Sequence, residues 1–164
     1  MKRNTPLLLL LICAGCAYPQ SEALNSFQEK YKHERDVTFI NIDGSLVNLA
    51  GELASLDEGK DDEIRSFSRL SKGVDHISIM KFDHYEHILS SEEIESFNKE
   101  LSAEGYEELM NIRQEGKKVK VLSQTGDVNT LTNVIIMVEE YRDLAIINID
   151  GEFNLQDVVT LVEG

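Results

Sequence analysis

The sequence predicts a single α+β domain in two layers, with a mixed or antiparallel sheet of about five strands and helices packed on one face of that sheet. Two kinds of apolar pattern occur along the chain. Some segments show the spacings of three and four that are typical of helices, and others show short β-branched runs that are typical of strands. The 164 residues, less a short leader, are enough for one domain with a substantial core, whereas two domains would be cramped.

The first sixteen residues have the order of a bacterial export signal. Lys2 and Arg3 form a positive head, residues 6–14 are almost all apolar, and small residues then lead into Cys16. Spanning a bilayer takes about 20 apolar residues, so this stretch is too short for a transmembrane helix. We therefore expect residues 1–15 to be removed as a signal peptide and the rest of the chain to work in the cell envelope.

Cys16 is the candidate lipidation site. The sequence CAGC at residues 13–16 fits a lipoprotein box in its last three positions, although a Leu is usual where Cys13 stands. Acyl chains on Cys16 would anchor the protein in the outer membrane, facing the periplasm, with residues 16–22 as a tether. Cleavage after Ala17 is the alternative, and it would give a soluble periplasmic or secreted protein.

The predicted domain, residues 23–164, is strongly acidic. The formal net charge of −14 becomes −16 when the leader and its two basic residues are removed. Such a domain repels phosphate, so we expect no nucleic-acid partner and contact with a membrane only through the lipid anchor. The two cysteines, Cys13 and Cys16, leave no thiol in the domain for a disulfide, a zinc site or a nucleophile.

The first half of the domain is predicted to contain three helices and a strand. A strand over Val37–Ile42 ends at the turn pair Asp43-Gly44, and the polar run at 57–63 is loop or the first turn of a helix. The helices are marked by apolar residues three or four positions apart, which are Leu24, Phe27 and Tyr31, then Leu46, Leu49, Ala50 and Leu53, then Ile64, Phe67 and Leu70.

The second half is predicted to contain four strands and two helices. A long helix is expected over 91–115, on a stripe made by Ile94, Phe97, Leu101, Leu109 and Ile112. A last helix follows Asn154 as its N-cap, with an apolar stripe made by Leu155, Val158, Val159 and Val162. The strands are expected over 76–82, 117–123, 131–139 and 144–149, the final three as a meander that ends in a hairpin.

The pentapeptide INIDG occurs twice, at residues 40–44 and 147–151. Each copy is predicted to end a strand and to precede a helix. One interpretation is a duplicated ligand loop in which Asp43 and Asp150 act as paired carboxylates. The other, which we favour, is that Asp-Gly serves turn geometry in two similar strand–turn–helix units.

The weak candidate metal ligands are His84, His87 and Asp83, in the segment DHYEH. On a helix His84 and His87 would share a face, and Asp83 would join His87 at spacing four. Two imidazoles and a carboxylate can hold a divalent ion, but no HExxH motif or third-ligand spacing is present. The acidic run at 57–63 lacks the alternating oxygen ligands of an EF-hand loop. We therefore assign no metal site, no catalytic residue and no cofactor.

Three segments resemble the DUF4252 family, small exported proteins of Bacteroidota that often carry lipoprotein signals. They are FQEKYKHERDVTFINIDGSLVNLAG at 27–51, YEELMNIRQEGKKVKVL at 106–122 and LAIINIDGEFNLQDVVTLV at 144–162. The resemblance covers most of the domain and implies an envelope protein of undefined molecular function. It supplies no active-site residue.

These observations favour a non-catalytic envelope lipoprotein that binds an unknown envelope protein through its acidic surface or through an unpaired sheet face. One alternative is a metal-dependent or hydrolytic enzyme that uses His84, His87 and nearby carboxylates. Another is an envelope sensor in a regulatory system. The oligomeric state is left open by the sequence.

Overall fold

The computed structural model describes residues 21–55, 62–125, 129–154 and 156–157. The predicted signal peptide, Cys16 and all four residues of the apolar stripe after Asn154 lie outside these residues. Asn154 itself behaves as the predicted cap, because its Oδ1 accepts a hydrogen bond of 2.8 Å from the backbone N–H of Gln156.

A six-stranded sheet forms the centre of the molecule, and every strand is antiparallel to its neighbours. The order across the sheet is β1-β2-β6-β5-β4-β3, so the last of the described strands lies in the middle. The strands are β1 Val37–Asp43, β2 Val74–Phe82, β3 Tyr106–Gln114, β4 Lys117–Thr125, β5 Thr130–Glu140 and β6 Asp143–Asn154.

Four helices of the described part of the chain accompany the sheet. They are α1 Glu22–Tyr31, α2 Gly44–Ser55, α3 Asp62–Lys72 and α4 Ser91–Ala103, with a short 3-10 turn at Tyr85–His87. α4 begins with a capping box, because the Ser90 side chain accepts from the Glu93 backbone while the Glu93 carboxylate accepts from the Ser90 backbone. Ser21 caps α1 by accepting from the backbone N–H of Leu24.

The main core lies between the sheet and the pair α1 and α4. Phe27 stacks on Phe97 with their ring centroids 4.3 Å apart, and Phe82 meets Phe27 edge-on from the sheet. Met80, Phe82, Ile135 and Ile146 supply the floor of this core and are almost completely buried. We call this side of the sheet the helix-covered face.

Among the described residues, helices cover the other side of the sheet only at one end. Val47 of α2 and Leu70 of α3 pack there on a small cluster that contains Val74, Leu131 and Phe153. Successive residues of a strand point to opposite sides, so Met80 in the main core and Ile77 in the small cluster show that helices lie on both faces. The expectation of helices on one face is therefore wrong.

The predicted strands and the closing hairpin are confirmed, but a sixth strand replaces part of a predicted helix. The helix expected over 91–115 ends at Ala103, and β3 begins at Tyr106. Gly105, with φ of +88°, ends the helix, and Glu115 and Gly116 both have positive φ in the tight turn that joins β3 to β4. Strand pairing with β4 thus decides the structure of residues 106–114.

Candidate functional site

The two INIDG copies lie on either side of one strand. Asn41 of β1 and Asn148 of β6 are both paired with Ser78 of β2, and Asp43 and Asp150 are likewise paired with His76. These side chains alternate with isoleucines, so they all point to the helix-covered face. The second copy, however, lies inside β6 and is not followed directly by a helix, because the strand continues through Gly151 to Asn154.

A cleft of about 230 Å³ opens between this polar part of the sheet and α1. Its walls come from three strands and one helix, so neither INIDG copy forms it alone. The residues that shape it include Gln28 of α1, Phe39 and Asn41 of β1, His76 and Ser78 of β2, and Asn148 and Asp150 of β6.

Hydrogen bonds fix several of these polar groups. The Gln28 Nε2 donates to Ser78 Oγ over 2.8 Å, and the Asn148 Nδ2 donates to Asp150 Oδ1 over 2.8 Å. His76 Nε2 lies 3.3 Å from Asn41 Oδ1. The Asn148 side chain is only 3% exposed, and its Oδ1 has no hydrogen-bond partner within the described structure. A buried acceptor without a partner costs free energy, and this one lies behind the wall of the cleft because it has almost no accessible surface.

Tyr106 lies close to the same end of the sheet and is buried. Burial raises the pKa of its hydroxyl to about 12, and the negative charges of Asp150 and Glu104 add to the rise. The phenol therefore stays neutral well above physiological pH.

Asp43 and Asp150 do not act as a pair. Asp43 accepts a hydrogen bond of 2.9 Å from the Ser45 backbone, and its pKa is lowered by hydrogen bonds with Ser45. It does not contribute to the cleft, and His76 lies between the two carboxylates in the sheet. The two carboxylates therefore do not meet at one ligand site, and the structure does not support the paired-carboxylate interpretation.

The structure does not bring the candidate metal ligands together. His84 has a left-handed backbone, His87 lies in the 3-10 turn with its Nε2 3.0 Å from an Arg142 nitrogen, and Asp83 is paired with Lys81. Across residues 21–55, 62–125, 129–154 and 156–157, no group of three His, Cys, Asp or Glu side chains has the arrangement of a metal site.

A second candidate site is the uncovered part of the other sheet face, which we call the open face. One apolar row crosses all six strands without a break, through successive paired residues Ile40, Ile79, Ile147, Ile136, Val121 and Met110. Val138, Val119 and Ile112 continue it toward one end of the sheet. None of these side chains is fully buried, and Ile40, Met110 and Ile112 are 40–47% exposed.

Ion pairs border the open face where the strands end. Lys81 lies 3.5 Å from Asp143, and Lys117 lies 3.9 Å from Glu140, each pair joining neighbouring strands. At the other end, α2 exposes Leu46, Leu49 and Leu53, which are 50–61% exposed. The open face is therefore apolar in its middle, electrically balanced at one border and flanked by further apolar groups at the other.

Sequence reasoning identified INIDG as a repeat and expected an unpaired sheet face as an interaction surface, but it did not locate that face and it missed the cleft. The signal for the cleft was the period of two within INIDG, which sends Asn and Asp to one side and Ile to the other. The signal for the open face was the alternation in Lys117–Thr125 and the aliphatic runs of the last two strands.

The fold and these sites define a small antiparallel α+β domain without a recognised catalytic arrangement among its described residues. The chain belongs to the family described as domain of unknown function DUF4252, whose model matches residues 31–161. No curated protein matches the chain, and no solved structure does. No helix in the described part is long and apolar enough to cross a membrane.

Proposed function

We propose that this protein is a non-catalytic interaction module of the cell envelope, exported by its leader and held there through Cys16, and that it works by self-association through the open face. The single observation that carries the proposal is the unbroken apolar row across six strands. Soluble monomers rarely leave a contiguous apolar patch of more than a few hundred Å² in water.

The size of the open face fits an interface. Six strands about 4.8 Å apart and two rows of side chains about 6.8 Å apart give roughly 400 Å² for each copy. Two copies would then bury about 800 Å² through the strands, and the exposed leucines of α2 would be needed to reach the roughly 1,000 Å² of a specific interface.

The charges at the border of the open face permit a second copy of the chain as the occupant. Without its leader the chain carries a formal net charge of −16, so its acidic surfaces repel one another and two copies can meet only where the charges are balanced. At the border of the open face the lysines and carboxylates are paired, so two copies can approach there without facing an excess of either sign. In a dimer related by a two-fold axis, the same apolar surface of each copy contacts the other. Such an interface requires no complementary charge pattern.

Analytical ultracentrifugation of protein purified from cells that express the full chain tests this proposal. We expect a concentration-dependent dimer, and we expect Ile147→Glu, at the centre of the row, to be monomeric. Met110→Glu, on an exposed edge position, provides a second variant that leaves the central strands intact. Ser102→Glu on the exposed side of α4 is the matched control and should dimerise normally. A wild-type protein that stays monomeric at about 100 μM would contradict the proposal, since that concentration far exceeds a typical dimer constant.

A further inference from the structure

The helix α2 carries its larger apolar side chains on the side that is turned away from its own sheet. Gly51 is buried against α3, and Val47 packs on the small cluster at one end of the sheet. With 3.6 residues per turn, positions 46, 49 and 53 form one stripe on the far side of the helix. The leucines at these three positions are at least half exposed. α2 therefore has a second apolar side that the described part of its own chain leaves open.

The open face and the helices beside it do not lie at the same height. α2 and α3 rest on one end of the sheet, over the cluster that contains Val74, Leu131 and Phe153. A helix with its side chains is about 10–12 Å across. Two open faces therefore cannot meet directly along their whole length, because the helices hold the covered ends apart. The space over the uncovered strands has to be filled by a layer one helix thick.

The symmetry of the dimer decides what fills that space. A two-fold axis parallel to the strands would place the helices of both copies at the same end, opposite one another. A two-fold axis perpendicular to the strands, in the plane of the interface, reverses one copy end for end. Its α2 then lies over the uncovered end of the other sheet, with Val47 toward its own sheet and the leucines toward the other. A helix that lies between two sheets has to be apolar on two sides, as α2 is.

The size and charge of α2 fit the open face. The stripe from Leu46 to Leu53 is about 10 Å long at a rise of 1.5 Å per residue, so it spans two or three strands that are about 4.8 Å apart. α2 contacts β1 and β2 of its own copy, and an axis perpendicular to the strands keeps it over the same two strands of the other copy. There the paired residues Ile40 and Ile79 belong to the apolar row. α2 contains no Lys or Arg and only one acidic residue, Glu52, so it brings little charge to this row.

We propose that α2 of a second copy is the element that covers the open face, with the three exposed leucines of each copy packed on Ile40 and Ile79 of the other. This inference rests on the proposed self-association and names the surfaces that meet in it. The contact is reciprocal, so it occurs twice in each dimer. The leucines thereby supply the buried area that the strands alone do not provide.

Cysteine cross-linking of the full chain tests the proposal, because residues 17–164 contain no cysteine. Copies with Leu49→Cys are mixed with tagged, longer copies that carry Ile40→Cys, and the mixture is treated with a short bismaleimide. We expect the mixed product in preference to the product of two Leu49→Cys copies. Ser102→Cys, on the exposed side of α4, replaces Ile40→Cys in the control and should give no mixed product, and the parent chain gives the background from Cys16. Cross-linking mainly between two Leu49→Cys copies, or a dimer without the mixed product, would overturn the proposal.

Sedimentation of the same samples separates this arrangement from self-association itself. A monomeric wild type would contradict both, whereas a dimer that gives the wrong cross-link would contradict only the arrangement. Leu49→Asp should weaken dimerisation at least about tenfold and leave the thermal midpoint of the monomer unchanged, because Leu49 is 50% exposed in its own copy. Ser102→Asp adds the same charge to α4 and should dimerise normally. Unchanged dimerisation of Leu49→Asp would refute the role of α2.

Discussion

Asn41 and Asn148, equivalent residues of the two INIDG copies, lie on opposite sides of Ser78 in one row of the sheet. Their neighbours Ile40 and Ile147 form the corresponding row on the other face, with Ile79 between them. One short repeat therefore contributes to both candidate sites. It supplies polar groups to the cleft and apolar groups to the open face, because strand side chains alternate in direction.

The junction between α1 and α4 should control stability in acid. Glu93 Oε1 accepts from Lys30 Nζ and from the Tyr31 hydroxyl, each over 2.6 Å. The hydrogen bond with Lys30, followed by those with the Ser90 backbone and Tyr31, lowers the Glu93 pKa from 4.5 to about 2. A lowered folded-state pKa stabilises the fold above pH 4.5, and this contribution is lost as the pH falls toward 2.

Glu93→Gln should therefore destabilise the protein at pH 7 by about 1 kcal/mol, a modest loss because the pair is partly open to solvent. The difference from the wild type should shrink below pH 4.5 and vanish near pH 2. Urea midpoints measured across this range check it, with Glu92→Gln on the exposed side of α4 as control. A difference that stays constant with pH would refute the assigned role of the carboxylate.

The contact between α2 and α3 depends on a residue without a side chain. A Cβ at Gly51 would lie 2.7 Å from the Ser71 Cβ and would also overlap the Ser71 hydroxyl. Gly51→Ala should cost about 1–3 kcal/mol as the two helices are forced apart. Denaturant unfolding measures this cost, and the same substitution in a Ser71→Gly background should cost clearly less. An equal cost in both backgrounds would mean that the helices do not meet at this point.

Leu101 and Leu109 should respond very differently to truncation. Leu101 is completely buried in α4, whereas Leu109 is 47% exposed in β3. Leu101→Ala should lower the free energy of unfolding by about 2–5 kcal/mol, and Leu109→Ala by less than about 1 kcal/mol. Thermal or urea unfolding of the two variants checks this directly. Similar losses in the two variants would contradict the exposed strand position of Leu109 and would favour the continuous helix expected over 91–115.

The same two leucines show how much of the fold can be predicted from the sequence. Ile94, Phe97 and Leu101 have the spacing of a helix and form one, and Leu109 and Ile112 continue that spacing by coincidence. What makes residues 106–114 a strand is pairing with β4 across the tight turn at Glu115 and Gly116, a contact between segments that periodicity does not register.

The sites depend even more on distant contacts. The repeat was visible in the sequence. The two copies contribute to one cleft only because β2 lies between β1 and β6, which local spacing does not encode. The hydrogen bond that fixes the Asn148 amide and the free acceptor beside it are properties of packing. The metal candidates His84 and His87 are three positions apart in the sequence, yet the left-handed backbone at His84 directs the chain into the 3-10 turn instead of a helix.

Self-association through the open face is tested most directly by isotope-filtered NMR on a mixture of copies with ¹³C-labelled isoleucine methyl groups and unlabelled copies. We predict intermolecular contacts at Ile79, Ile136 and Ile147, in the middle of the apolar row, and none at Ile135 or Ile146 in the main core. Absence of intermolecular contacts at the open face, or contacts only on the side of α1 and α4, would contradict the account.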